Sequence, residues 1–257
     1  MITFFYKFSN IVILTLIISI LSPVLIHSQT TITADEILER IDRNMVSTTV
    51  ISTATMEIHQ RNRVDVKEMK IWGKGKNSSF MEFTAPARDK GTKYLRLEDN
   101  LWMYLPNIEK VIKISGHLLR QSMMGSDYSY EDTLDRIKLL EDYTSVLLGE
   151  EDFDGRTCYV LELTAARKDV TYYRRKIWVD KEYFIGLKSE LYAKTGKLLK
   201  MMTVHKIEQI QGRHYPTQAT MQDLLRKDSR TEFFITGIQF DVDIPDEIFT
   251  IRNLEKR

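Results

Sequence analysis

The sequence is nearly without cysteine. Cys158 is the single cysteine among 257 residues, so an intrachain disulfide is excluded. It lies in the strand-like run 157–161, where a thiol is typically a buried and unreactive core side chain. The stability of the fold must therefore come from the burial of apolar side chains.

An excess of charge of either sign is also lacking. Lys7 is the one charged residue in residues 1–28, and the rest of the chain has 36 basic residues against 36 acidic ones. Proteins that bind nucleic acids usually carry a basic surface. We therefore expect no nucleic-acid partner.

The usual catalytic and metal-binding signatures are missing as well. The sequence has no Gly-x-Ser-x-Gly elbow, no His-Glu-x-x-His and no paired cysteine spacing. The stretch 73–78 resembles a phosphate loop, but it lacks the Gly-Lys-Ser/Thr ending and precedes a strand, which favours a hairpin turn. We predict that the protein is not an enzyme and has no catalytic residue, no cofactor and no metal.

Two polar groupings leave an alternative open. His205 and His214 lie on neighbouring predicted strands, where partly solvated sheet histidines explain them more simply than a ligand set does. A second grouping could bind a cation, although carboxylates that oppose a helix dipole are the simpler interpretation; its members are Asp127, Glu131 and Asp132.

One long apolar run stands at the start of the chain. Residues 11–26 are almost wholly apolar, follow Lys7 and end near the small residue Ser28. This order is typical of a secretory signal peptide. The run is shorter than the ~20 residues that a membrane-spanning helix needs. We expect residues 1–28 to be cleaved and residues 29–257 to form one periplasmic domain; the alternative is a retained membrane anchor.

The apolar period changes from helical to strand-like after residue 46. Thr33 and Glu36 have the spacing of a capping box, and the stripe that follows predicts an amphipathic helix over residues 34–46. Alternating runs then recur to the end of the chain, joined by turns such as Asp154-Gly155 and Gln211-Gly212. About eleven strands with tight connections predict an antiparallel meander, since parallel pairing would need long crossovers.

The segment 117–140 breaks this alternation. It is too long for a hairpin loop and carries scattered apolar residues from Leu118 to Leu139, with breaks at Gly116 and Gly125. Two short helices that cross an end or a face of the sheet would fit, the second starting near residues 129–132.

Large apolar side chains are concentrated in the central third of the chain. The run 101–105 is bulky on both faces, so one face must meet a helix, a partner or a ligand. Methionine adapts to ligands of variable shape, whereas an ordinary core is the simpler interpretation of any single residue. The candidates for contacts in an apolar cavity or its lid are Phe83, Trp102, Tyr104, Met123 and Met124.

Several longer stretches together resemble one known family. They are residues 82–92, 101–106, 113–116, 123–132 and 244–250. In these stretches the sequence is similar to the outer-membrane lipoprotein-sorting proteins of the LolA-like superfamily, and more narrowly to its poorly characterised periplasmic branch. The similarity spans nearly all of residues 34–254.

The resemblance implies an α+β, mainly β fold: an incomplete antiparallel β-barrel closed by short helices, with a cavity that takes acyl chains. It implies a monomeric periplasmic carrier for an acylated protein or lipid, working beside an inner-membrane transporter. A lipoprotein-sensing or accessory module is the alternative, and a hydrolase is disfavoured by the missing nucleophile motif. Residues 122–132, which the best-studied carriers lack, could be a lid, a docking surface or a structural plug.

Overall fold

Alternating side chains build one antiparallel sheet. A computed structural model describes residues 32–134, 139–168 and 170–256, and the predicted signal peptide lies outside them. The described residues form thirteen strands: β1 Thr49–Gln60, β2 Arg63–Lys74, β3 Ser78–Ala85, β4 Lys93–Leu97, β5 Asn100–Leu105, β6 Lys110–Ile114, β7 Tyr143–Phe153, β8 Arg156–Ala165, β9 Arg174–Asp180, β10 Gly186–Tyr192, β11 Leu198–Ile210, β12 Arg213–Asp223 and β13 Ser229–Phe240.

The strand order confirms the predicted meander. It runs β6-β5-β4-β3-β2-β1-β13-β12-β11-β10-β9-β8-β7, so all neighbours but β1 and β13 are also consecutive in the chain. The count of about eleven is too low, because each apolar run forms its own strand. Asp154, Gly155, Gln211 and Gly212 all have positive φ, as hairpin turns of two residues require.

The first helix, α1, spans Ala34–Met45, as its pattern predicts. The Thr33 hydroxyl accepts a hydrogen bond from the Glu36 amide at 3.2 Å, and the Glu36 carboxylate accepts one from the Thr33 amide at 2.8 Å. This is a complete capping box. The helix buries Ile37 and Leu38 against one end of the sheet.

The two faces of the sheet have different covers. We call the face that carries Met56, Phe83, Ile177 and Met221 the inner face. Its β1–β6 half packs under residues 115–134, here called the covering segment. Its β7–β9 end packs under α1 and under the short helix α2, which spans Leu139–Asp142.

The covering segment consists of 3-10 turns, so the prediction of two helices is wrong here. The turns are Gly116–Arg120, Met123–Gly125 and Glu131–Thr133. Met124 and Gly125 have positive φ, which ends the second turn. The Asp132 carboxylate accepts bonds from the backbone and hydroxyl of Ser129, and such local bonds compete with a continuing helix.

Contacts of the covering segment show that the sheet curls into an incomplete barrel. The Tyr130 ring lies 5.9 Å from Tyr94 on β4, while Asp132 is 2.6 Å from Lys200 on β11. Five strands separate β4 from β11, so a flat sheet would hold them ~29 Å apart. Residues 130 and 132 lie at most ~7 Å apart along the chain. Contacts with both strands from positions so close together indicate that the sheet bends around this segment.

The outer face is covered by the end of the chain. Residues 242–256, here called the C-terminal segment, include the 3-10 turn Asp246–Phe249 and the helix α3, Ile251–Leu254. The segment packs on the outer side of β3–β6, where its neighbours include Phe80, Leu95, Trp102 and Tyr104. The bulk of β5 on both faces is therefore explained by two separate covers.

We expect Leu254→Ala to destabilise the fold by about 3 kcal/mol, because it opens a cavity under a side chain that is fully buried. Urea denaturation of the purified protein would measure the loss. Ile108→Ala is the matched control, since Ile108 is 54% exposed and should change the free energy of unfolding by less than about 0.5 kcal/mol. Equal effects of the two changes would contradict the described packing of the C-terminal segment.

Candidate binding cavity

A cavity of about 200 Å³ lies on the inner face, between the covering segment and α1. Ile41, Asp42 and Met45 of α1 lie on one side of it. Tyr128 and Asp132 of the covering segment lie on another. The strands β9 to β13 form its floor with mostly apolar side chains, among them Ile177, Leu191, Met202, Val204, Met221, Phe233 and Ile235.

Small side chains at inward positions create this space. Ser189 on β10 and Ala219 on β12 both line the cavity, and β11 runs between their strands. Gly186 adds no side chain beside Ile177, whose Cγ2 is 3.6 Å from the position a Cβ would take. Larger residues fill the inner face under the covering segment.

Three charged groups line the cavity, and each is held by neighbours; Asp42 pairs with Lys76 at 3.1 Å. Arg175 is buried, donates through Nε to the Tyr143 hydroxyl at 2.8 Å, and its guanidinium lies 4.9 Å from the Tyr143 ring. Asp132 accepts from the Tyr172 hydroxyl at 2.7 Å and from Lys200 Nζ at 2.6 Å. A cavity of this kind offers an apolar ligand a mostly apolar wall with fixed charges at its edge.

The environment of Asp132 favours its charged form. Burial alone would raise the pKa of this carboxyl, but the charge and hydrogen bond of Lys200 and the hydrogen bonds from Ser129 and Tyr172 outweigh it. The pKa of Asp132 is therefore lowered from its ordinary value of 3.8. Asp132 and Lys200 form a buried ion pair at neutral pH.

The five predicted cavity residues lie beside this space or away from it. Phe83, Met123 and Met124 belong to the cluster under the covering segment, which reaches the cavity through Tyr128, Met202, Met221 and Phe233. Trp102 and Tyr104 lie on the outer face, under the C-terminal segment. Their role as ligand contacts stays a prediction, and none of the five lines the cavity described here.

One feature of the sequence pointed to the region of the cavity, whose lining the sequence analysis did not predict. Lys200 alternates with Met202 and Val204 on β11, and a lysine at an inward position needs a buried partner. Its partner, Asp132, lies 68 residues away in the chain, so no local motif connects them.

Neither the three carboxylates nor the two histidines that the sequence suggested as groupings form a common site. Asp127 binds Thr231, Glu131 accepts from Thr171, and Asp132 binds Lys200, so the three carboxylates face different partners. His205 contacts Thr220, at 2.7 Å, whereas the His214 ring stacks on Tyr183 at 3.8 Å.

Two further features concern the burial of the Cys158 thiol and the length of the helices. The Cys158 thiol is fully buried, and burial raises its pKa to about 11, which fits the predicted unreactive side chain. None of the described helices is long and apolar enough to cross a membrane.

Comparison with known proteins gives a consistent result. Residues 75–256 match a family model described as "Uncharacterized protein". A DUF1329 family protein from Desulfovibrio piger has 31% identity and a TM-score of 0.81, over 85% of this chain and 96% of that one. No curated protein matches the chain.

Two further solved structures share the fold. A LolA superfamily protein from Nitrosomonas europaea has 27% identity and a TM-score of 0.72, over 86% of this chain and 99% of that one. A putative outer membrane lipoprotein-sorting protein domain from Vibrio parahaemolyticus has 24% identity and a TM-score of 0.76, over 85% of this chain and 96% of that one. The LolA-like fold implied by the sequence is thereby confirmed.

We expect Lys200→Met to lower the free energy of unfolding by about 3 kcal/mol at pH 7, because Asp132 would keep a buried charge without its cation. A carboxyl with a lowered pKa stabilises the fold above its ordinary value and loses that contribution as the pH falls. Without Lys200, burial raises the pKa of Asp132 in the variant, so the deficit should narrow as the pH falls and this carboxyl takes up a proton.

Urea denaturation at pH 7 and at pH 3.5 would test this. Lys206→Met is the control on the same strand, since Lys206 pairs with Glu208 on the surface and such pairs contribute little. A deficit at Lys200 that is the same at both pH values would contradict the proposed charge state of Asp132.

Proposed function

The chain belongs to the DUF1329 family, and from this premise we propose that it is a periplasmic carrier that holds the acyl chains of a lipoprotein or lipid. In this proposal the cargo moves from the inner-membrane side towards the outer membrane, and an inner-membrane transporter supplies it. The signal peptide predicted at residues 1–28 supplies the export that this role requires.

The apolar cavity is the observation that carries the proposal. Each buried methylene contributes about 0.8 kcal/mol, so a chain of sixteen carbons exposed to water costs roughly 12 kcal/mol. An acylated cargo can cross an aqueous compartment only if the carrier shields that chain. The floor of the cavity is an inward face of five strands whose side chains are mostly apolar, which is the surface that such a chain needs.

The size of the cavity indicates that the closed form must open. Its volume of about 200 Å³ is below the ~300–1,000 Å³ of typical ligand pockets. Helix α1 is the part best placed to move, because Ile37 and Leu38 anchor its first half while Ile41 and Met45 are only partly buried over the cavity. Lifting the second half of α1 would lengthen the cavity towards solvent.

The proposed role requires no chemistry from the polar groups at the cavity. Asp132 is neutralised by Lys200, and Arg175 is bound to Tyr143. These contacts favour binding and orientation of a ligand over catalysis, and the carrier is proposed to act as a monomer without a cofactor.

The small volume also favours a second candidate function. A lipoprotein-sensing or accessory module would need to hold only the end of an acyl chain, and about 200 Å³ suffices for part of one. Transfer of a fluorescent acyl lipid between vesicles separates the two roles: a carrier accelerates transfer, whereas a sensor binds the lipid without moving it.

We expect Ala219→Trp to weaken the binding of a fluorescent fatty acid by at least ~10-fold, because the indole would occupy the cavity that Ala219 lines. Gln222→Trp is the matched control: it adds the same side chain to β12 on the outer face, opposite Met201. Fluorescence titration of both variants and of the unchanged protein measures the effect.

Mass spectrometry of lipids that co-purify with the protein gives an independent readout. A stoichiometric acylated species, lost in Ala219→Trp and kept in Gln222→Trp, is the expected result. Absence of any bound species together with no uptake of the fluorescent probe would overturn the carrier and the sensing roles alike.

A further inference from the structure

Three side chains that can bind a metal meet on the outer face, on the pair β1–β13. Glu57 and His59 are two residues apart on β1, so both point outward. Glu232 on β13 stands directly opposite Glu57 in the register. The three ligand atoms all lie within 4.8 Å of one another.

The imidazole of His59 is placed between the two carboxylates. Its Nε2 is 3.5 Å from Glu57 Oε2 and 3.5 Å from Glu232 Oε1. The atom is buried, and within the described part of the chain it makes no hydrogen bond. A buried ring nitrogen without a partner is costly, so this arrangement requires an explanation.

The distances fit a bound zinc ion better than they fit hydrogen bonds. Hydrogen bonds from nitrogen to oxygen are centred near ~2.9 Å. Zinc binds nitrogen and carboxylate oxygen at ~2.0–2.2 Å, and tetrahedral geometry then separates the ligand atoms by ~3.3–3.6 Å. The two separations of 3.5 Å at His59 lie in that range.

We propose that Glu57, His59 and Glu232 form a binding site for a divalent transition-metal ion, with Zn²⁺ as the best fit. One imidazole and two carboxylates suit zinc, whereas Ca²⁺ and Mg²⁺ prefer oxygen ligands throughout. A water molecule completes the fourth position. The ion would join β1 to β13, the one pairing in the sheet between strands that are not consecutive in the chain.

Arg230 competes with the ion for one ligand. Its Nε donates to Glu232 Oε1 at 3.0 Å, the same oxygen that faces His59. The Arg230 side chain is 48% exposed, so it can turn to solvent when an ion binds. Its removal should therefore strengthen metal binding, and this effect distinguishes a metal site from a histidine that is only ion-paired.

The sequence prediction of no metal rested on local signatures. A Glu-x-His pair on one strand and a glutamate 173 residues further along match none of the zinc motifs that depend on close spacing. Register alone brings Glu232 beside Glu57.

Isothermal titration of the purified, EDTA-treated protein with ZnCl₂ tests the proposal. We expect one equivalent to bind with a Kd in the micromolar range or tighter. Glu57→Gln should weaken binding by at least ~10-fold because it keeps the shape and removes a charged ligand, and His59→Ala should abolish it. His205→Ala is the control, since His205 is an exposed histidine bonded to Thr220.

The change Arg230→Gln should tighten zinc binding by several-fold. Saturating zinc should raise the melting temperature of the unchanged protein, whereas it should leave that of His59→Ala unchanged. Circular dichroism in EDTA shows whether each variant keeps the sheet. The intensity of the visible absorption of Co²⁺ bound in place of zinc reports whether the coordination is tetrahedral. The proposal is overturned by an absence of stoichiometric binding, or by binding that survives His59→Ala and so reflects an adventitious ion only.

Discussion

The curl of the sheet depends on two buried aspartates that tie the covering segment to distant strands. Asp127 accepts from Thr231 on β13 at 2.7 Å and from the Asp223 amide at the end of β12 at 3.1 Å. Asp132 binds Lys200 on β11, while the neighbouring Tyr130 packs on Tyr94 of β4. Charges this deeply buried are tolerated only with close partners. The same contacts therefore set both the position of the segment and the curvature of the sheet.

This arrangement divides the inner face into a filled part and a hollow part. Under the covering segment, Phe83, Met123 and Tyr128 complete a dense core, so residues 122–132 act as a structural plug there. Next to Asp132, small residues such as Ser189 and Ala219 leave space beneath α1. The size of the inward side chains thus separates the filled part of the face from the hollow part. A LolA-like sheet can carry a large covering segment and still keep a hollow for a ligand.

The sequence predicted what depends on neighbouring residues and missed what depends on distant ones. Local rules predict the capping of α1 by Thr33 and Glu36 and the alternation of side chains along the strands. They also predict the turns at Asp154-Gly155 and Gln211-Gly212. The face of the sheet to which a side chain points depends on the register of strand pairing, and this register is a tertiary property. Trp102 and Tyr104 share β5 with inward-facing Met103, yet they meet the C-terminal segment, about 140 residues away. A cavity was predicted, but the residues that line it here were not, because this lining is assembled from α1, α2, the covering segment and five strands.

The position of the buried charges also decides which part of the protein can open for a ligand. Spreading the sheet would separate Asp132 from Lys200 and Asp127 from Thr231, and each separation would leave a charge buried without its partner. Lifting the second half of α1 would break polar contacts at the surface, among them Asp42 with Lys76 at 3.1 Å and Asn44 with the Tyr183 carbonyl at 2.6 Å, together with the packing of Ile41. Surface pairs of this kind contribute little to stability. The apolar residues that α1 would expose, Ile41 and Met45, are those that line the cavity, so an entering acyl chain would bury the surface that opening uncovers. In the proposed carrier, opening at α1 and ligand binding would therefore be coupled through one apolar surface, while the curled sheet stays fixed.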